Sequence, residues 1–127
     1  MADLAPWPDP HLVLVNLLDD LIVSDIVGSQ LQPDFQQDMP VIRVRKVGGT
    51  DDKLTDFVRM VVDVYAADYE TSRDLSEAVR QRLLSYPHIT TAGRLDRCET
   101  EASPFELPWP DPSTRYHTAT YRLSFRR

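Results

Sequence analysis

One cysteine, Cys98, is all the chain has in 127 residues, so no internal disulfide can form. That fits folding in a reducing cytoplasm. No apolar run approaches the ~20 residues that a membrane-spanning helix needs. The opening MADLAPWPDP lacks the basic stretch and small-residue cleavage site of a signal peptide. Residues 1–40 hold no Lys or Arg, against seven aspartates: Asp3, Asp9, Asp19, Asp20, Asp25, Asp34 and Asp38. Residues 113–127 reverse this, with Arg115, Arg122, Arg126 and Arg127 and no acid. The net charge of −6 argues against a general nucleic-acid binder, which needs cations to displace counterions from phosphate. Ends of opposite charge can pair within a subunit, pair across a subunit interface, or simply be solvated.

Recognisable catalytic motifs are also missing. There is no HExxH, no paired His/Cys spacing and no GxSxG, and Gly48-Gly49 is not followed by the Gly-Lys-Ser/Thr of a phosphate loop. His11, His88 and His117 are scattered, and His117 falls on the apolar side of a predicted strand, as a hydrogen-bonded core histidine would. Cys98 has no Cys-x-x-Cys or helix-N-terminal context to lower its pKa. Asp51, Asp52, Asp56 and Asp63 are carboxylates of the kind that bind Mg²⁺ or Ca²⁺. Their spacing matches no EF-hand, and a solvated turn is the simpler reading. No catalytic residue, metal ligand or cofactor is assigned.

The apolar content is 42% and the charged content 27%, enough for one folded α+β domain over residues 1–127. Residues 1–10 form an extended proline-rich arm. Asp9-Pro10 suits a helix start, and Leu14, Leu17, Leu18, Leu21 and Ile22 recur at helical spacing, with Gly28 as a stop. This predicts a first helix over 11–27, then a polar stretch with a short edge strand near 30–32. Val41 to Val47 alternates, with Arg43 and Arg45 on one side. A second strand carries Val58, Met60, Val62, Val64 and Ala66 on its apolar face, and Phe57, Arg59, Val61, Asp63 and Tyr65 on the other. The intervening 48–56 reads as a loop too long for a tight hairpin turn. A second helix is expected over 71–86, with Leu75, Ala78, Val79, Arg82 and Leu83 on its buried stripe and Ser72 facing water. Pro87 ends it. A charged edge strand over 93–102, a proline-rich loop over 103–112 and a last strand over 114–126 follow. In that strand His117, Ala119, Tyr121, Leu123 and Phe125 face the core. Pro6-Trp7-Pro8-Asp9-Pro10 recurs as Pro108-Trp109-Pro110-Asp111-Pro112. Each copy precedes a regular element, so each suits a stiff structural lead-in more than an interface.

Arg43, Arg45, Arg59 and Arg122 would share one sheet face if their strands are neighbours. The alternatives are a face balanced by Asp63 and other acids, or a docking surface for an acidic partner.

The stretch VIRVRKVGGTDDKLTDFVRMVVDVYAAD resembles the small tail proteins of long-tailed phages of actinobacteria, namely the tail terminator, also called a head-to-tail connector or minor tail protein. Ala78-Val79-Arg80, the strand with Gly93, Leu107 to Pro112, Arg115-Tyr116 and Tyr121-Arg122-Leu123 agree with it, so the resemblance covers roughly residues 10–127. It implies an antiparallel sheet of about four strands with two helices packed on one face, which agrees with the periodicity. It implies a virion protein, made in the bacterial host's cytoplasm, that sits at the head-tail junction. There a hexameric ring would cap the tail tube protein and meet the head-completion (stopper) protein, without touching a membrane. DNA would pass through the lumen without specific binding. Under that reading Arg43, Arg45, Arg59 and Arg122 form one subunit-interface patch, and Asp19, Asp20 and Asp25 form the other. Gly48, Gly49, Asp51, Asp52 and Trp109 are candidates for contacting tube or head. The alternatives are a neighbouring head-side connector, or a metal-dependent enzyme using the loop 51–56.

Overall fold

A computed structural model describes residues 6–21, 27–28 and 33–126. The first helix, α1, spans Pro10–Leu18, and a 3-10 turn Asp19–Leu21 continues it. Asp9 caps it by accepting from the His11 amide, with Pro10 in the first turn, as the sequence predicts. The helix is shorter than expected. Residues 22–26 lie outside the described residues, and Val27–Gly28 forms a two-residue strand, β1. The strand expected near 30–32 falls outside the described residues.

Four long strands make the sheet: β2 (Val41–Asp51), β3 (Thr55–Ala66), β5 (Gly93–Leu107) and β6 (Arg115–Arg126). Helix α2 (Tyr69–Leu84) and the short β4 (His88–Thr90) lie between β3 and β5 in the chain. The spatial order is β1-β2-β3-β6-β5-β4, antiparallel throughout except for the parallel β1–β2 pair. The α+β class and the four long strands match the sequence reading, with two short edge strands added.

The core lies between the sheet and the helices. Val13, Leu14, Leu17 and Leu18 of α1 and Leu75, Val79 and Leu83 of α2 pack on Ile42, Val44, Val58, Met60, Val62, Val64, Tyr121, Leu123 and Phe125. These are the period-two apolar rows read from the sequence. Arg82 ties the two helices together: its guanidinium donates to the Leu17 carbonyl (2.6 Å) and grips both Asp20 oxygens (2.7 and 3.1 Å).

Three expectations are corrected. Gly48 and Gly49 belong to strand β2, at a register shift after Lys46, so the 48–56 loop shrinks to Asp52-Lys53-Leu54. Gly49 is required there because its φ is +148° and a Cβ would meet the Phe57 carbonyl. Asp52 closes the turn by accepting from the Leu54 and Thr55 amides (2.8 and 2.7 Å), which lowers its pKa. The charged strand runs on through Pro104 to Leu107, so only part of the 103–112 segment is loop. A proline is tolerated there because β5 is nearly an edge strand, flanked by β4 only at Gly93–Leu95. Ser72 is buried rather than solvated, because its hydroxyl bonds His117.

The two Pro-Trp-Pro-Asp-Pro copies go to opposite ends of the sheet. Pro8 lies on Gly93, where a Cβ would strike the proline ring. Trp109 packs against Phe35, Tyr65 and Tyr116, with ring centroids 5.1–5.8 Å apart.

Candidate functional site

The sheet face away from the helices carries the candidate interface. Cross-strand register places Arg43 opposite Asp63 and Arg59 opposite Arg122, so all four predicted arginines share this face. The face divides into two halves along the strands.

One half is roofed and locked. Phe35, Met39 and Trp109 cover Val41, Tyr65 and Tyr116. Tyr65 and Tyr116 stack at 4.7 Å with planes 4° apart. Beside them Asp63 has no exposed surface. It accepts from Arg43 Nε (3.0 Å), Arg45 Nε (2.9 Å) and the Tyr116 hydroxyl (2.7 Å). Two guanidiniums and a phenol offset the cost of burying that charge, which unpaired would be several kcal/mol. The surroundings respond in kind. Partial burial pulls the Arg45 pKa down, but the bond and charge of Asp63 outweigh it, and the net shift is upward. Burial first, and then the bond to Asp63, raise the Tyr116 pKa. Arg43 also lies over the Tyr65 ring at 5.7 Å.

The other half is open. A groove of about 590 Å³ runs over Thr50, Phe57, Arg59, Arg97, Arg122 and Ser124. Phe57 is 45% exposed there. Arg59 and Arg122 are directly opposed like charges, an arrangement that costs stability without a carboxylate nearby. Glu101 supplies one, at 2.9 Å from Arg59 but only 3.9 Å from Arg122. Arg97 pairs with Glu99 at 3.3 Å.

The acidic candidates separate. Asp19 is exposed, Asp20 is held by Arg82, which lowers its pKa, and Asp25 lies outside the described residues. The C-terminal arginines do not meet the acidic N-terminal region among the described residues. Arg115 pairs with Glu106 and Arg126 with Asp96. The tube- and head-contact candidates also separate. Asp51 and Asp52 sit at the hairpin tip beside Gly48 and Gly49, while Trp109 lies at the Tyr65 end. The nine-residue step from Asp56 to Tyr65 puts those ends roughly 30 Å apart. Asp63 lies seven residues along β3 from Asp56, opposite Arg43, and so away from Asp51, Asp52 and Asp56. Among the described residues no group of three or more His, Cys, Asp and Glu side chains is placed to hold a metal ion.

His117 is the hydrogen-bonded core histidine that the sequence suggests, but its partner was missed: Ser72 Oγ lies 2.7 Å from His117 Nδ1 on the helix side. Burial lowers the His117 pKa; Glu106 acts upward, Arg115 and Arg73 downward. The serine has no exposed surface, so it is not placed to attack a substrate. Cys98 is buried, and burial pushes its thiol up to about 12.

No protein-family profile matches this chain, and no curated protein matches it. Among solved structures it is similar to a chain in the virion of native gene transfer agent (GTA) particle. The match covers 87% of this chain and 84% of that one, with a TM-score of 0.63 and 15% identity. At that identity what the two share is the fold.

Proposed function

We propose that this protein is a structural subunit of a phage-like virion, and within it the terminator that caps the head-proximal end of the tail tube as a ring. The carrying observation is that its fold follows a chain of the GTA virion over 87% of its length. The whole domain is therefore of a type used in such a particle. The resemblance of residues 10–127 to tail terminators supports the finer role. The separation of the hairpin tip from the Trp109 loop suits a subunit lying between two partners. The tip is exposed and short, whereas Trp109 is half-buried in its own fold, so the hairpin is the better contact element. In this reading the ring meets the tail tube on one side and the head-completion protein on the other, and DNA passes through unread.

Incubating the purified protein with uncapped tail tubes and, separately, with portal-containing heads tests the reading. Binding to tubes with a ring of about six copies at one end supports the terminator. Binding only to heads moves the protein to the neighbouring connector. Binding to neither removes both.

A further inference from the structure

We propose that the open groove around Phe57, Arg59, Arg97 and Arg122 receives the Asp19–Asp20 corner of α1 from a second copy of this chain. The inference rests on the reading of the protein as a self-assembling subunit, and names the contact through which it assembles.

Charge is the first argument. The chain carries −6 overall, yet on this face Arg43, Arg45, Arg59, Arg97, Arg122 and Arg126 stand against the carboxylates Asp63, Asp96, Glu99 and Glu101. The roofed half consumes its own charges around Asp63. The surplus falls where Arg59 and Arg122 share one carboxylate, with side chains 49% and 61% exposed. Phe57 adds an exposed aromatic surface beside them, opposite Ser124.

The corner of α1 has the opposite character. Asp19 is exposed and has no ion pair among the described residues. Asp20 is 69% exposed, yet Arg82 fixes its position, so it is presented in one geometry at little further entropic cost. Arg82 already offsets the charge of Asp20, so the unpaired charge that the corner offers is that of Asp19. The last carbonyls of the helix add partial negative charge.

Position is the second argument. The donor corner belongs to the helix layer, and the acceptor groove is on the far side of the sheet. Two different patches on different layers make a heterologous contact, which repeats head to tail and closes into a ring when the rotation allows.

Two full-length variants test the contact. R59E/R122E breaks the groove and keeps the corner. D19N/D20N removes the charge of the corner without adding a cation that would pair with the carboxylates of R59E/R122E, while the carboxamide oxygen at position 20 still offers Arg82 an acceptor. Each alone should run at monomer mass in light scattering, with self-association weakened at least roughly tenfold. Mixed in equal amounts they retain one good groove and one good corner, so the mixture should run at the mass of two chains, less so as salt rises. Variants that associate like the wild type overturn the proposal. So does a mixture that stays monomeric where the wild type associates, or a wild-type chain that never associates, alone or on tubes. Should R59E/R122E lose its fold, Arg97→Glu probes the same groove from a side chain 64% exposed. Rings on tail tubes that survive R59E/R122E would remove this contact and leave the terminator reading standing. Heterodimers without any ring on tubes would do the reverse.

Discussion

The two halves of the uncovered sheet face use the same residue types to opposite ends. In the half near Tyr65, two arginines converge on one fully buried aspartate beside an aromatic cluster. In the half near Phe57, two arginines share one partly exposed glutamate, with open groove above them. The chemistry of each pair is alike, and the dielectric around it is not. A buried carboxylate with three donors is an organising contact whose loss is costly. Exposed pairs are screened and contribute little, so their charges stay free for other contacts. A charge-reversal test aimed at Arg43 and Arg45 would therefore read folding rather than assembly.

Removing Asp63 should give the largest effect. Asp63→Ala leaves two guanidiniums and a phenol without their shared acceptor, and should destabilise by about 3 kcal/mol. Urea unfolding would read this as a lower midpoint at unchanged slope. A loss below about 1 kcal/mol would mean that the buried cluster is no tighter than the exposed one, and the contrast between the halves would fail.

The roof comes next. Trp109→Ala removes a half-buried indole from contact with Phe35, Tyr65 and Tyr116, and should cost about 2 kcal/mol, below the range for fully buried aromatics. It should also loosen Tyr116, which donates to Asp63, so Trp109→Ala and Asp63→Ala should combine to less than the sum of their separate effects. Strict additivity would separate roof from lock.

Much of this was legible in the chain. The alternating rows of β3 and β6 are local patterns, and they named both core and charged faces correctly. The shared face of four arginines followed from the same period. What could not be read was the division of that face. Asp63 looks like one more outward acid in the row Phe57, Arg59, Val61, Asp63, Tyr65. Its burial goes with Arg43 and Arg45 across one ladder and Tyr116 across the other, and Tyr116 is itself packed by Trp109 from far along the chain. Local punctuation misled in two places. Gly48-Gly49 signals a turn by composition, yet Gly49 is there because β3's backbone approaches too closely for a Cβ. Pro104 signals a loop, yet a strand with one side open along most of its length accepts it.

A smaller effect should appear on the helix side, as a control outside both halves. The folded-state pKa of His117 is depressed below 6.5. Between that lowered value and 6.5 the unfolded chain binds more protons than the native one. The contribution is therefore complete above 6.5 and is lost as pH falls toward the folded pKa, at no more than about 1.4 kcal/mol per pH unit. The carboxylates Asp20, Asp52, Asp68 and Asp111 have lowered pKa values, so their contributions fade only at and below the ordinary carboxylate range near 3.8. Stability measured from pH 7 to 5 should thus slope in the wild type and flatten in His117→Gln. An unchanged slope in the variant would assign the effect elsewhere.

The smallest expected effect is the sharpest test of the contrast. Arg59→Ala should change stability by less than about 0.5 kcal/mol, because its side chain is 49% exposed and Glu101 keeps water as an alternative. Arg43→Ala should cost about 1 to 1.5 kcal/mol, since it removes a charge-assisted bond to a buried oxygen and a cation over Tyr65. A double-mutant cycle makes the comparison quantitative. Coupling between Arg59 and Glu101 should sit near zero, and coupling between Arg43 and Asp63 should clearly exceed it. Should the Arg59 pair prove the stronger, the open half would be rigid in its own right. Its arginines would then be bound to the fold, and assembly would have to be sought on another surface.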